Sequence, residues 1–265
     1  MSEEKIIFLQ KKINQIKTTF LKMYKQANAG HVGSSLSCAE TLGVAWFYFK
    51  NEEDRLVLSK GHAAAALYAT LHEAGIITEE EIESFYKNNT VLPAHPPVNK
   101  FKEIPFATGS LGHGLSIAAG FGYSNKIRNT DARIFCITSD GEINEGSTWE
   151  AALFIAHHRL TNVVWIVDRN RFQGFGPTEE TIQLDPLDKK LEAFGFQVIE
   201  LDGHSIPELM NLKELFQSTN KPLAVIANTI KGNGWNGKSN TLDSHYLPMK
   251  EHEFTELLNT LNHES

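Results

Sequence analysis

Residues 132–140 read ARIFCITSD, and residues 162–170 read NVVWIVDRN. Each is a short continuous apolar run, rich in β-branched side chains, that ends abruptly in polar residues. A run without polar alternation suits a strand covered on both faces of a parallel sheet. Two further runs share this character, at 197–201 and 223–230, and a shorter one, Asp54-Arg55-Leu56-Val57-Leu58-Ser59, precedes them all. Helical patterns fill the gaps. Ile6, Leu9, Ile13, Ile16, Phe20 and Met23 set one apolar face over 5–28, up to an Asn-Ala-Gly-His break that starts at Asn28. Further helices are expected over 36–48, in the Ala-rich stretch after Lys60-Gly61-His62, over 78–88, within the Gly-rich 109–122, and over 146–159, 185–195, 205–218 and 249–262. The segment from Pro93 to Pro105 reads as loop, as does the Gly- and Asn-rich 231–247. The repeated order of strand then helix argues for the α/β class, an open parallel sheet with helices on both faces. No internal repeat and no long linker interrupts 1–265, so one domain is expected.

Composition narrows the function. Of 265 residues, 41% are hydrophobic and 22% charged, as in an ordinary globular protein. Lys and Arg number 25 against 32 Asp and Glu, a net charge of −7 with no basic block, which argues against nucleic acid as a partner. Cys38 and Cys136 are the only cysteines and form no metal-ligand spacing, which fits a reducing, cytoplasmic setting. No apolar run approaches the ~20 residues that span a bilayer. The N-terminal MSEEKIIFLQKK, acidic then amphipathic, is unlike a signal peptide.

Open α/β sheets bind ligands beyond the carboxyl ends of their strands. Asp140 and Asn170 are therefore expected to emerge at the same sheet edge, on loops from neighbouring strands. A carboxylate, an amide oxygen and a nearby backbone carbonyl make half of an octahedral Mg²⁺ shell, which phosphate oxygens and water usually complete. Gly141 lets the backbone approach a phosphate, and a helix starting near Gly146 offers free N–H groups. The pieces describe a site for magnesium and a diphosphate. The same residues also fit a plainer arrangement, a strand-end Asp capping a helix with Asn170 in a turn.

The segment Ser139-Asp140-Gly141-Glu142, then Glu145-Gly146, Trp149-Glu150-Ala151 and Asp168-Arg169-Asn170, resembles the thiamine diphosphate signature, GDG followed about thirty residues later by N. The residues between are transketolase-like, and most similar to the separate N-terminal subunits of split transketolases. Ala29-Gly30-His31-Val32-Gly33 matches that family's GHxG element, and Ser59-Lys60-Gly61-His62 its SxGH element. Leu92-Pro93-Ala94-His95-Pro96 resembles PGHP, Thr108-Gly109-Ser110-Leu111-Gly112-His113-Gly114 resembles TGPLGQG, and Ser244-His245-Tyr246 stands where the family has a late histidine. Ser139 replaces the signature's first glycine, Ala94 replaces a glycine and His113 a glutamine. Serine fits most backbone conformations except positive φ, so the turn is expected to survive.

The resemblance implies a thiamine diphosphate-binding (PP-domain) fold and a role for each matching position. Asp140 and Asn170 hold Mg²⁺ through side-chain oxygens, and Phe172 through its backbone carbonyl. Gly141 donates its N–H to the diphosphate, and Glu142 beside it joins the cofactor-binding set. His62 and His245 contact the diphosphate and the substrate entrance. Gly109, Ser110 and Leu111 line the cofactor, with the Gly109 carbonyl toward the aminopyrimidine, and Ile230 packs on the thiazolium. His31 and His95 reach the sugar hydroxyls and assist proton transfer. Glu145 and Glu150 match interface carboxylates, and Glu145 is placed in the catalytic set.

By the same resemblance, the glutamate that the cofactor's pyrimidine needs lies on a second domain, following the diphosphate-binding one. The chain ends at Ser265, after the first domain, so the pyrimidine-binding and C-terminal domains are expected on a separate C-terminal transketolase subunit, two copies of each forming an α2β2 heterotetramer. The implied reaction moves a two-carbon ketol unit from a ketose or ketose phosphate to an aldose or other carbonyl acceptor. Two other readings share parts of the pattern. One is the α subunit of a 2-oxo-acid dehydrogenase, which also carries GDG…N; the other is a non-catalytic cofactor-binding scaffold subunit. The histidine elements favour transketolase over the former, and intact Asp140 and Asn170 count against the latter.

Overall fold

The computed structural model describes residues 2–98 and 100–263. Five strands form one sheet: β1 (Arg55–Leu58), β2 (Ile134–Ser139), β3 (Val163–Arg169), β6 (Gln197–Asp202) and β7 (Leu223–Asn228). Their spatial order is β1-β2-β3-β7-β6, and every pair is parallel. The two remaining strands, β4 (Phe172–Gln173) and β5 (Gly176–Pro177), form a small antiparallel hairpin directly after β3 that the sequence did not suggest.

Side-chain alternation builds two core layers, one on each face of the sheet. Phe135, Ile137, Val164, Ile166 and Val225 face a layer made by α1 (Glu3–Ala27), α2 (Val32–Val44), α3 (Ala64–Glu73), α9 (Ile206–Ser218) and α11 (Glu251–His263). Ile134, Cys136, Val163, Trp165 and Val167 face the opposite layer, made by α5 (His113–Ile127), α6 (Gly146–His157) and α8 (Leu187–Phe194). The expected α/β architecture with helices on both faces is what the chain adopts. No helix among the described residues is long and apolar enough to cross a membrane. Both cysteines are free and buried.

Several boundaries differ from the sequence reading, each for a local reason. The second helix starts at Val32 rather than 36, because Asn28 (φ 48°) and His31 (φ 70°) turn the chain in the left-handed region just ahead of it. Every residue of α2 is buried, so it has no polar face to give its start away. The helix expected over 78–88 shrinks to α4 (Glu79–Glu83). Thr78 and Glu81 cap its start reciprocally, and positive φ at Tyr86 prevents its continuation. The Gly-rich 109–122 is loop until His113, with Gly109 at φ 141° and Gly112 at φ 79°. The run 197–201 is not covered on both faces: β6 is the sheet edge and is largely half-exposed. Within 231–247 a short helix, α10 (Asp243–Tyr246), carries His245, and α7 (Thr178–Thr181) follows the hairpin.

Candidate active site

Four parallel strands deliver polar residues to one edge of the sheet. Lys60 and His62 follow β1, Asp140 follows β2, Asn170 and Phe172 follow β3, and Ile230 and Lys231 follow β7. A cavity of about 280 Å³ opens there, lined among others by Asp140, Gly141, Asn170, Phe172, Lys231 and the four histidines His31, His62, His95 and His245. Gly109 and Leu111 line it from the loop before α5.

The two signature residues line the same cavity. Ser139 pairs with Asp168 across β2 and β3, and the Asp140 N–H donates to the Asp168 carbonyl (3.3 Å). The Asp140 carboxylate accepts from the N–H of Arg171, the residue after Asn170 (2.7 Å), and from the Thr178 hydroxyl (3.0 Å). Arg169, buried and tied also to Glu179 and Asp185, lies 3.5 Å from the same carboxylate. Burial pushes the Asp140 carboxyl up, against the pull of Arg169. Asn170 is clamped by its own turn: its Oδ1 accepts from the Phe172 N–H (3.1 Å), and its Nδ2 donates to Asp168 (3.2 Å).

Asp168 underpins this arrangement. It is fully buried, and burial favours its neutral form, but Lys60 and the hydroxyls of Ser37 (2.6 Å) and Thr229 outweigh that and hold the carboxyl below its usual range. Lys60 is itself wholly buried and also donates to the Ser34 carbonyl (2.9 Å). Desolvation offsets most of the attraction in a buried pair of this kind, so what it clearly does here is hold Asp168 and Lys60 in place.

Lys231 is the group that the sequence reading missed. It is 1% exposed, and its ammonium donates to the Phe172 carbonyl (3.0 Å) and to Nδ1 of His245 (2.6 Å). Burial, helped by the charge on Lys60, brings its pKa down to about 7. While Lys231 is an ammonium it has only donors, so in that state Nδ1 of His245 accepts and its proton sits on Nε2. Burial, with Lys231 beside it, pushes His245 down to about 3, and burial with His95 nearby takes His31 to about 4. His62 and His95 are also lowered by burial. The rings of His31 and His245 lie 4.9 Å apart, and His31 is 5.8 Å from His62 and 6.5 Å from His95. At neutral pH all four are uncharged, and each offers one donor and one acceptor.

Not every expected residue reaches the cavity. Glu142 is wholly buried, its carboxylate accepts from the Ser59 hydroxyl (2.5 Å) and the N–H groups of Gly112 and Ser139, and it fixes loops behind the cavity without lining it. The Gly141 N–H is occupied by Asp140 Oδ1 (2.8 Å) and is not free for a phosphate in this arrangement. Ser110 is exposed between the two lining residues Gly109 and Leu111. Ile230 is 41% exposed beyond β7 and is not part of the cavity wall. Glu145 is exposed at the start of α6, beside Gly112, and Glu150 is exposed on that helix. Ser139 is the last residue of β2, where serine is at ease, so the departure from glycine leaves the turn intact. His113 is exposed at the first turn of α5. Lys231 was findable: it lies three residues past the end of β7, and the strand-end rule that located Asp140 and Asn170 applies to it equally.

The donor set suits the expected groups. Asp140, Asn170 and the Phe172 carbonyl are all hard oxygens, the ligands Mg²⁺ prefers. Among the described residues no cluster of three His, Cys, Asp or Glu is disposed to hold a metal. A Cβ on Gly141 would come within 3.3 Å of Gln173, and one on Gly109 within 2.9 Å of the His95 ring, so both glycines keep space that a side chain would fill.

Comparison with known proteins agrees. Residues 9–265 match the family model described as transketolase, thiamine diphosphate binding domain. The chain is 39% identical over 236 residues to one subunit of the apulose-4-phosphate transketolase of Actinobacillus succinogenes, covering 85% of this chain and 86% of that one. It is 36% identical to a 6-deoxy-6-sulfo-D-fructose transketolase subunit of a Clostridium species, covering 95% and 94%. Against human transketolase it is 37% identical over 93% of its own length but only 41% of the human chain. The crystal structure of Campylobacter jejuni transketolase superposes with a TM-score of 0.90 at 28% identity, over 99% of this chain and 43% of that one. The chain therefore spans nearly all of the split subunits and less than half of the one-chain enzymes. It belongs to the transketolase family, as its thiamine diphosphate-binding N-terminal domain.

Proposed function

We propose that this chain is the N-terminal, cofactor-binding subunit of a two-subunit transketolase, one cofactor-binding domain that works in the cytoplasm with a separate C-terminal subunit. The complex moves a two-carbon ketol unit from a ketose or ketose phosphate to an aldose or other carbonyl acceptor. The observation that carries this reading is the convergence of Asp140, Asn170, the Phe172 carbonyl and Lys231 at one cavity edge, under four neutral histidines. Asp140, Asn170 and the Phe172 carbonyl would hold Mg²⁺, and Lys231 would turn from that carbonyl to the diphosphate. Bound thiamine diphosphate supplies a stabilised carbanion equivalent at the donor carbon.

The chain's own part is placement and hydrogen bonding. With Nδ1 of His245 taken by Lys231, Nε2–H is its free donor, suited to an anionic or hydroxyl oxygen. His31 and His95 stand across from it, where a neutral imidazole can take a hydroxyl proton and return it. The relatives named for apulose-4-phosphate and 6-deoxy-6-sulfo-D-fructose favour an anionic sugar substrate here too. The 2-oxo-acid dehydrogenase reading gains no support from the comparisons.

The test is reconstitution. The chain alone is expected to show no ketol transfer from a ketose phosphate, and addition of the C-terminal subunit is expected to restore it, with two copies of each chain in the complex by light scattering. Full turnover by the isolated chain would refute the split site.

A further inference from the structure

His204 lies outside the cavity, on the loop from β6 to α9, yet its ring is hydrogen-bonded on both nitrogens. Its Nε2 accepts the backbone N–H of Ile230 (2.9 Å). Only an unprotonated ring nitrogen can accept, so in the neutral ring the proton sits on Nδ1. That nitrogen is 3.1 Å from Oε2 of Glu40, to which it donates, and the Asn233 side-chain amide approaches it at 3.2 Å. The other Glu40 oxygen accepts from Lys17 (2.5 Å). Burial opposes charge on Glu40, but Lys17 and His204 outweigh it and bring the carboxyl down to about 2, so Glu40 is an ionised anchor throughout the neutral range. The ring is thereby fixed in one tautomer and one orientation.

What this ring holds is the strap that follows β7. Thr229 is tied to Asp168 through its hydroxyl, Ile230 to His204 through its N–H, and Lys231 to the Phe172 carbonyl through its ammonium. The neighbouring Gly203 brings the two loops together, since a Cβ there would collide with Thr229. Three successive residues are thus pinned from three directions, and of these three pins His204 is the one that comes from outside the cavity edge.

We propose that His204, oriented by Glu40, is a positioning residue that sets the place of Ile230 and Lys231 for binding of thiamine diphosphate. The inference rests on the functional reading above, that the cavity takes this cofactor. It assigns a role to a histidine that lies outside the cavity wall.

The experiment titrates magnesium thiamine diphosphate into the full chain together with its partner subunit, reading affinity by calorimetry and melting temperature by circular dichroism. In His204→Phe, which keeps a ring and loses both hydrogen bonds, the cofactor is expected to bind about tenfold more weakly, the size of one lost hydrogen bond to a positioned group. The KM for the ketose is expected to stay the same. In His204→Gln, whose Oε1 can reach the position of Nε2, most of the affinity is expected to return. A purely structural role would lower melting temperature without this rescue. Wild-type affinity in His204→Phe, or equal losses in Phe and Gln, would overturn the proposal. Asp140→Ala, run alongside, separates the two levels: lost binding there with intact binding in His204→Phe refutes only the positioning role, whereas intact binding in Asp140→Ala removes the placement of the cofactor's metal at this cavity, on which the inference rests.

Discussion

At the scale of single residues, the site depends on groups whose ordinary charge has been taken away. His31 and His245 are held neutral by burial, at about 4 and about 3, against 6.5 in the unfolded chain. Between pH 6.5 and 4 the unfolded chain therefore binds protons that the folded chain does not, so stability falls as the pH drops through that window. The melting temperature is expected to decline from pH 7 to pH 5, and His31→Asn, which tolerates the left-handed φ of 70° at that position, is expected to flatten the decline. An unchanged slope in the variant would remove the claim that this ring is kept neutral. The same scale shows where sequence reasoning stops. Asp140 and Asn170 were legible because each ends an apolar run. Lys60 and Glu40 were not, because nothing local marks a charged residue as buried; for Lys231 the place just past β7 was readable, but its burial was not. Their burial is made by partners far along the chain, such as Asp168 for Lys60 and Phe172 for Lys231.

At the scale of elements, the sheet and its helices follow from periodicity, while the joints between them follow from glycines. The strands β2, β3 and β7 were readable as continuous apolar runs, and the layer they form decides which edge carries the site. The start of α2 was not, because its polar residues are buried and its boundary is set by backbone turns. Gly30 and Gly33 let that start pack against α10: a Cβ on Gly30 would strike the Tyr246 backbone, and one on Gly33 would come within 2.7 Å of the Ser244 carbonyl. This contact carries the hydrogen bond from the His31 N–H to the His245 carbonyl (2.8 Å) and so sets the spacing of two cavity histidines. Gly30→Ala is expected to destabilise the fold by about 1–3 kcal/mol, as overpacking against backbone does. It is also expected to lower affinity for thiamine diphosphate by separating His31 from His245. Urea unfolding and cofactor titration check both effects, and wild-type values in both would show that the joint has slack.

At the scale of the whole molecule, the strand order β1-β2-β3-β7-β6 does the organising. The chain passes from β3 to the far edge at β6 and returns to β7, so the loops after β3 and β7 diverge and open a crevice between them, the place where open parallel sheets take their ligands. Asp140, Asn170 and Lys231 stand around that crevice. All of the functional reading depends on a single cation held there with a diphosphate. The most direct measurement is anomalous diffraction from a crystal of the chain with its partner subunit, grown with thiamine diphosphate and Mn²⁺ in place of Mg²⁺. The expected result is one strong peak about 2.1 Å from an Asp140 carboxylate oxygen, the Asn170 amide oxygen and the Phe172 carbonyl, with Lys231 moved off that carbonyl. A cofactor bound with its metal elsewhere, or with those three oxygens still engaged as they are now, would contradict the account.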